Sequence, residues 1–430
     1  MINCYNHDLF DKKKIPLGWF NNLQSADRKL IERINGYIFS PFSIQPWSES
    51  EKDFIKNNLW LDDNNHWFRY TGVKPEKSIF AICIPVHNEA SFLPAMLGTI
   101  LLSHLPKSAK ITFLIITNGC TDNGSSQRII FNFMSLFGEV QKKDINKNPL
   151  ANKFTDEKID KSYFLIDIDN IKFIHLNTNS AGKAYAINIA NEIALKNNDP
   201  ILINLDANVF IEPNSFAKMY VLAYEKFIHK PDNTAIIAGD KKADKLPPIS
   251  ASDEFFQKEF SGLNAREILP IIHNQLIPMH GAFMSWNPKS MLEEGGMPHT
   301  AVEDDVFAYR AVFNGKKVIK ASGAVMWKVE PFTLKSRIIF LSRIIRGWLQ
   351  AIEQFPYLKS FIKTQVSYMK DSRNGVIYAD LKEWQKQNQK ISEQTLLAIF
   401  QLWSKVYLTG VEEFKKRRFD CSWDDVPGTK

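Results

Sequence analysis

A chain of 430 residues with 44% hydrophobic and 12% aromatic residues can bury a substantial core, which sets aside a disordered chain and allows two or three domains. The formal net charge of +7 favours anionic partners such as nucleotides or acidic lipid head groups. Four scattered cysteines, Cys4, Cys83, Cys120 and Cys421, form no CxxC pair and have no clustered histidine, which argues against a zinc site or a disulfide framework and fits a reducing compartment.

The amino-terminal Met1-Ile2-Asn3-Cys4-Tyr5-Asn6-His7-Asp8 lacks the basic stretch and apolar run of a secretory signal. The longest apolar stretches, Ile338 to Ile352 and Leu396 to Leu408, are interrupted by Arg343, Arg346, Gln401 and Lys405, so they read as amphipathic helices and not as membrane spans. A soluble, cytoplasmic protein is expected, with peripheral contact to a membrane surface allowed by its positive charge and no nucleic acid as partner. The basic runs Lys12-Lys13-Lys14 and Lys415-Lys416-Arg417-Arg418 read as solvated faces.

Residues 1–77 mix aromatics such as Trp19, Trp47, Trp60 and Trp67 with charges, and are expected to form an N-terminal helical extension. From Ser78 the character changes. Ile79-Phe80-Ala81-Ile82-Cys83-Ile84-Pro85 is a short apolar run ending in a polar turn, the pattern of a buried parallel strand, and a helix is predicted from Ser91 to His104. The unit repeats as a strand at Ile111 to Ile116, a Gly- and Asn-rich turn and a helix from Gln127 to Phe137. Further strands are predicted at Ile171 to Leu176 and Ile201 to Leu205, joined by a helix from Ala184 to Lys196. Gln141 to Lys161, rich in Lys, Asp and Asn, reads as a mobile surface insertion. Beyond Asp240 the pattern becomes irregular, regains strand character at His280 to Met284, and from Pro331 reads as successive helices to about Arg418. Strands alternating with helices predict a doubly wound α/β sheet whose ligand binds beyond the carboxyl ends of the strands.

Each strand end carries polar residues. They are Pro85-Val86-His87-Asn88-Glu89, then Thr117-Asn118-Gly119-Cys120-Thr121-Asp122, then Gly182-Lys183-Ala184-Tyr185-Ala186-Ile187-Asn188, and last Asp206-Ala207-Asn208. Singly these are ordinary turn formers, but aligned they make one continuous rim. Downstream lie His280-Gly281-Ala282, Glu294-Gly295-Gly296-Met297-Pro298 and the acidic Glu303-Asp304-Asp305. Three successive acids suit either catalysis or a helix N-terminus.

In this order the motifs resemble those of the inverting GT-A glycosyltransferases, the large family that includes the cellulose, chitin and hyaluronan synthases. The resemblance runs from about Ile79 to Trp348. It implies a GT-A, mostly parallel sheet with helices on both faces, plus N-terminal and C-terminal helical extensions. The implied segments are 1–77 as extension, 78–240 as nucleotide-sugar-binding half, 241–350 as acceptor-binding half and 351–430 as a C-terminal helical region. By the same match Pro85, Asn88, Glu89, Asn118, Asp122, Gly182, Lys183 and Asp206 bind the donor, a nucleotide-diphosphate sugar. Thr117 and Asn118 stand where the family carries two acids. Asp206 and Asn208 replace the family's D-x-D and imply a divalent metal, Mn or Mg, with one carboxylate fewer than usual. His280, Gly281, Ala282 and Glu303 face an acceptor of unknown identity, and Asp304 is the implied catalytic base.

Arg343 and Arg346 fall near the place of the Q-x-x-R-W motif of processive synthases, with Arg343 for Gln and Gly347 for Trp. Guanidinium groups there are expected to meet the donor diphosphate. The incomplete motif favours transfer of one sugar per binding event. Two rival readings are a sugar-phosphate pyrophosphorylase type of nucleotidyltransferase, whose Gly-rich basic loop is missing after the first strand, and a catalytically silent nucleotide-binding protein, against which Glu303-Asp304 argues.

Overall fold

The computed structural model of the chain describes residues 64–106, 108–144, 162–168, 170–180, 182–244, 280–329, 334–360, 362 and 393–418. The first strand, β1 (Ile79–Val86), is buried along almost its whole length, and its side chains divide between two cores. Phe80, Ile82, Ile84 and Val86 enter one core, while Ala81 and Cys83 enter the other. This period-two division is what a strand covered on both faces requires. The first core is closed by α1 (Asn64–Thr71), α2 (Leu93–Leu101), α3 (Ser125–Ser135) and α5 (Ser215–Tyr224). The second is closed by α4 (Lys183–Asn197), α6 (Pro288–Glu293) and α7 (Glu303–Phe313). Trp67 of α1 stacks on Phe80 and tilts against Tyr220, with its indole N–H donating to Ser78 Oγ at 3.0 Å, while residues 1–63 of the predicted N-terminal extension lie outside the described residues.

The remaining strands are β2 (Lys110–Asn118), β3 (Gln141–Asp144), β4 (Ser162–Ile168), β5 (Ile171–Thr178), β6 (Leu202–Leu205), β7 (Val209–Ile211), β8 (Thr234–Asp244), β9 (Phe283–Trp286) and β10 (Lys317–Val329). They form one sheet in the order β3-β4-β5-β2-β1-β6-β9-β8-β10-β7. The run β5-β2-β1-β6 is parallel throughout, as predicted. The rest is antiparallel except for β8 against β10. Strand order progresses from β1 outward to β2 and β5, then returns across β1 to β6. The side on which strands are added therefore reverses between β1 and β6, and such a switch point opens a crevice at the carboxyl ends of its two strands.

Three regions differ from the sequence-based expectation. Gln141 to Lys161 was expected as an irregular insertion, yet its first four residues form β3, antiparallel to β4 at the sheet edge. Those four side chains, Gln-Lys-Lys-Asp, are all exposed, so the strand is specified by pairing with its neighbour and carries no apolar signal of its own. Residues 145–161 lie outside the described residues. The strands β4, β7, β8 and β10 were not predicted. The expected boundary at 240/241 falls within β8.

At the C-terminal end α8 (Leu334–Gln354) packs against α9 (Glu393–Lys416), in line with the predicted helical region. Gly410 sits where any side chain would collide with Ile345 and the Ser342 carbonyl, so the two helix backbones approach closely there. No helix among the described residues is long and apolar enough to cross a membrane.

Candidate active site

The crevice at the switch point is a small, open cleft. Pro85, His87 and Glu89 line it from the end of β1, and Asp206, Ala207 and Asn208 from the turn after β6. Asn118 reaches it from β2, and Gly182 and Lys183 from the start of α4. Four chain segments far apart in sequence meet because β6 lies directly beside β1.

Lys183 ties the site together. Its ammonium group lies 2.7 Å from Asp206 Oδ1 and 3.2 Å from Glu303 Oε1, and it donates to the Gly281 carbonyl at 2.9 Å. Three acceptors match the three hydrogens of an ammonium. Burial disfavours charge on Lys183, but the negative charges of Asp206, Glu303 and Asp304 outweigh it and raise its pKa above the usual lysine range. For Asp206 burial is likewise the largest effect, and Lys183, Lys328 and the hydrogen bonds overcome it, so its pKa is lowered. Glu303 behaves differently: burial and the charges of Asp304 and Asp206 raise its pKa despite Lys183.

The Gly281 peptide links this cation to the acidic turn of α7. Its N–H donates to Asp304 Oδ2 at 2.8 Å, while its carbonyl accepts from Lys183 and, at 2.8 Å, from Asn204 Nδ2. A Cβ at position 281 would collide with the Asp304 carboxylate, which explains the glycine. The three successive acids thus meet three environments. Glu303 points inward to Lys183, and Asp305 is buried and accepts from the Trp348 indole N–H of α8 at 3.2 Å. Asp304 alone is partly exposed, and its second carboxylate oxygen has no hydrogen-bond partner among the described residues. Helix α8 also steadies this turn: Gln350 Oε1 accepts from Ala301 N at 3.1 Å, and Gly347 lies against the backbone of residues 301–302 with no room for a side chain.

No protein-family model matches the chain, and neither does any curated protein. Among solved structures it is similar to S. aureus TarS 1–349 in complex with UDP-GlcNAc, at 16% identity and a TM-score of 0.38, with 81% of this chain and 95% of that chain covered. The same S. aureus fragment in complex with UDP aligns at 15% identity and a TM-score of 0.37, over the same shares of the two chains.

Other residues expected at the site take distinct places. Asn88, in a left-handed conformation, does not line the cleft; its side chain joins the first turn to the second through Thr121, accepting from Thr121 N at 2.8 Å and donating to Thr121 Oγ1 at 3.0 Å. Asp122 accepts from Ser126 N at 3.0 Å and caps the first turn of α3, away from the cleft lining. Ala282 accepts from Asp206 N at 2.8 Å, which fixes the strand-end turn. His280 is half-buried next to Gly281. Arg343 and Arg346 are both buried in α8 and do not line this cleft; the Arg343 guanidinium lies over the Phe340 ring.

Asp206 and Asn208 were expected to hold a divalent metal. Asn208 donates its amide N–H to Glu89 Oε1 at 3.3 Å, and its buried carbonyl oxygen has no hydrogen-bond partner among the described residues. That oxygen suits a hard cation. Asp206, however, faces two ammonium groups, Lys183 at 2.7 Å and Lys328 at 3.7 Å from its other oxygen. Two unit charges 4 Å apart interact by about 4 kcal/mol at an effective dielectric constant of about 20. Among the described residues no group of three or more His, Cys, Asp or Glu side chains could hold a metal ion. The donor set fits a divalent ion poorly, and the chemistry below is assigned to the chain's own residues.

Two contributors have no motif in the sequence. Asn204, fully buried on β6, spans Asp206 Oδ1 at 3.3 Å and the Gly281 carbonyl. Its only signal is an amide inside the apolar run Ile201-Leu202-Ile203-Asn204-Leu205. Lys328 arrives from the far end of β10, placed by antiparallel pairing with Val209, three residues after Asp206.

Proposed function

We propose that this protein is a glycosyltransferase that moves a single sugar from a nucleotide-diphosphate sugar to an acceptor hydroxyl, with inversion at the anomeric carbon. The observation that carries this reading is the Gly281 peptide, which couples a buried cation on the donor side of the cleft to a partly exposed carboxylate, Asp304, on the other. Binding and proton transfer then reside in adjacent groups with different exposure.

The donor diphosphate meets the cationic side of the cleft. Lys183, which lines the cleft, offsets the negative charge that grows on the leaving group as the anomeric carbon–oxygen bond breaks. The acceptor oxygen attacks the same carbon from the opposite face and forms the new glycosidic bond. Its proton passes to Asp304, and the bonding electron pair departs with the nucleoside diphosphate. Gly281 N–H holds one Asp304 oxygen, which leaves the other oriented to receive that proton. Glu303 and Asp305 are already engaged by Lys183 and Trp348 and serve to position the turn.

A panel of UDP-, GDP-, ADP- and dTDP-sugars incubated with the protein, with free nucleoside diphosphate as readout, tests this reading. Release from at least one donor is expected, faster with sugar or glycolipid acceptors present. Incorporation of phosphate from pyrophosphate into a nucleotide would support a nucleotidyltransferase instead, and binding without turnover of any donor would support a silent binding protein.

A further inference from the structure

We propose that Gln350 is a positioning residue for Asp304, joining the end of α9 to the segment that presents this carboxylate. The inference rests on the glycosyltransferase reading, in which Asp304 receives the acceptor proton, and concerns how that acid is held in place. Residues 299–305 run antiparallel along α8. Gln354 Nε2 donates to the His299 carbonyl at 3.1 Å, Gln350 Oε1 accepts from Ala301 N at 3.1 Å, Gly347 abuts the backbone of 301–302, and the Trp348 indole N–H donates to Asp305 Oδ2 at 3.2 Å. The partners on α8 thus recede by roughly 9 Å of helix while the segment advances into α7.

Ala301 lies shortly before Asp304 in the chain, and its neighbour Val302 accepts from Val306 N at 3.1 Å in the first turn of α7. Fixing the backbone at 301–302 therefore sets where that turn begins. Asp304 is carried with the turn toward the Gly281 N–H. The Gln350 side chain is buried, and its two ends meet different segments. Its oxygen faces Ala301 N, while Nε2 donates to the carbonyls of Arg417 at 3.4 Å and Arg418 at 3.3 Å, at the carboxyl end of α9. Arg418 Nε in turn donates to Glu353 Oε2 at 2.7 Å, which fastens the same end of α9 to α8. Glutamine offers an acceptor to one segment and donors to the other; glutamate keeps the acceptor alone, and methionine has neither. The end of α9 thereby orients the amide that holds the base-bearing turn. A misplacement of about 1 Å in a reacting group can cost about a hundredfold in rate, so a contact remote from the reacting atoms acts on the rate through Asp304.

The test places Gln350→Met and Gln350→Glu in the full chain, each alone and combined with Asp304→Asn, and measures transfer rate at saturating donor, donor affinity, melting temperature and amide hydrogen exchange. Gln350→Met is expected to lower the rate about 10- to 100-fold with donor affinity changed by less than about threefold, and to speed exchange across residues 299–305 while β5 exchanges as before. Gln350→Glu keeps the acceptor for Ala301 N and loses both donors to α9, so it should show the same changes to a smaller degree, and it carries the comparison where Gln350→Met does not fold. Combined with Asp304→Asn, neither substitution is expected to lower the rate further, because a positioning contact acts through the group it positions. A merely structural role would lower the melting temperature and leave the rate per folded molecule intact. That outcome, unchanged exchange at 299–305, or rate losses that multiply in the double variants overturns the inference while leaving the glycosyltransferase reading in place. A wild-type rate in Gln350→Glu overturns the link to α9. Absence of nucleotide release from every donor by the wild type overturns both readings.

Discussion

The two sides of the cleft handle charge in opposite ways. On the β6 side Asp206 is almost completely buried, ion-paired with Lys183, flanked by Lys328 and hydrogen-bonded by Asn204 and by its own backbone to Ala282. On the α7 side Asp304 is partly exposed and is held by one hydrogen bond from Gly281. A carboxylate locked among cations organises a binding site; one held at a single oxygen keeps its other oxygen open to a hydrogen-bond donor. On the proposed reading, the acid left for proton transfer is the less constrained one, although both lie within one hydrogen-bond relay through Gly281.

Removing Lys183 should disturb the locked side most. Lys183→Met leaves Asp206 and Glu303 buried without their common partner, and breaking such a buried ion pair costs about 3–5 kcal/mol. Urea denaturation should show that loss as a lower midpoint with an unchanged slope. Wild-type stability in this variant would mean that the two carboxylates are solvated or protonated at little cost, and the contrast between the two sides would fail.

A smaller effect is expected from His175, buried on β5, where its ring contacts Thr117 Oγ1 at 3.2 Å. Burial pushes its pKa down to about 4. Because the folded value lies below the usual histidine value of about 6.5, the unfolded chain binds more protons between the two. Stability from this group is therefore complete above about pH 6.5 and is lost as pH falls toward 4, by up to about 3 kcal/mol. The stability difference between wild type and His175→Gln, followed from pH 7 to pH 4, should shift by that amount; a flat difference would show that the ring is solvated in the native state. Thr117 presents a hydroxyl and no carboxylate to this ring, which suits a neutral histidine.

The parallel half was legible in the sequence because its information is local. Each apolar run of β1, β2, β5 and β6 is followed within a few residues by its own polar turn, and the observed strands begin and end within about two residues of their predicted limits. Asp304 was singled out by the resemblance of its Glu-Asp motif; the structure places it in the first turn of α7 against the Gly281 N–H. The other half hid its order. In β10 the register shifts between Ala321 and Val325, around Gly323 in a left-handed conformation, so the alternation of buried and exposed side chains loses phase midway. Lys328 follows that bulge and reaches Asp206 only through pairing with β7, a three-residue strand with no pattern of its own. Lys183 was expected at phosphate on the strength of its helix-start position; that Asp206, Glu303 and Gly281 all converge on it depends on contacts across 23 to 120 residues of chain, which no local pattern encodes.

The most direct test of the account is Asp304→Asn, with transfer rate at saturating donor and donor affinity measured on the same preparation. The amide keeps the size of the side chain and an oxygen to accept from Gly281 N–H, but cannot take up the acceptor proton. The account predicts a rate lower by roughly a hundredfold to ten-thousandfold with donor affinity changed by less than about threefold. An undiminished rate at saturation together with weakened donor binding would contradict it, and would assign Asp304 to the binding side of the cleft.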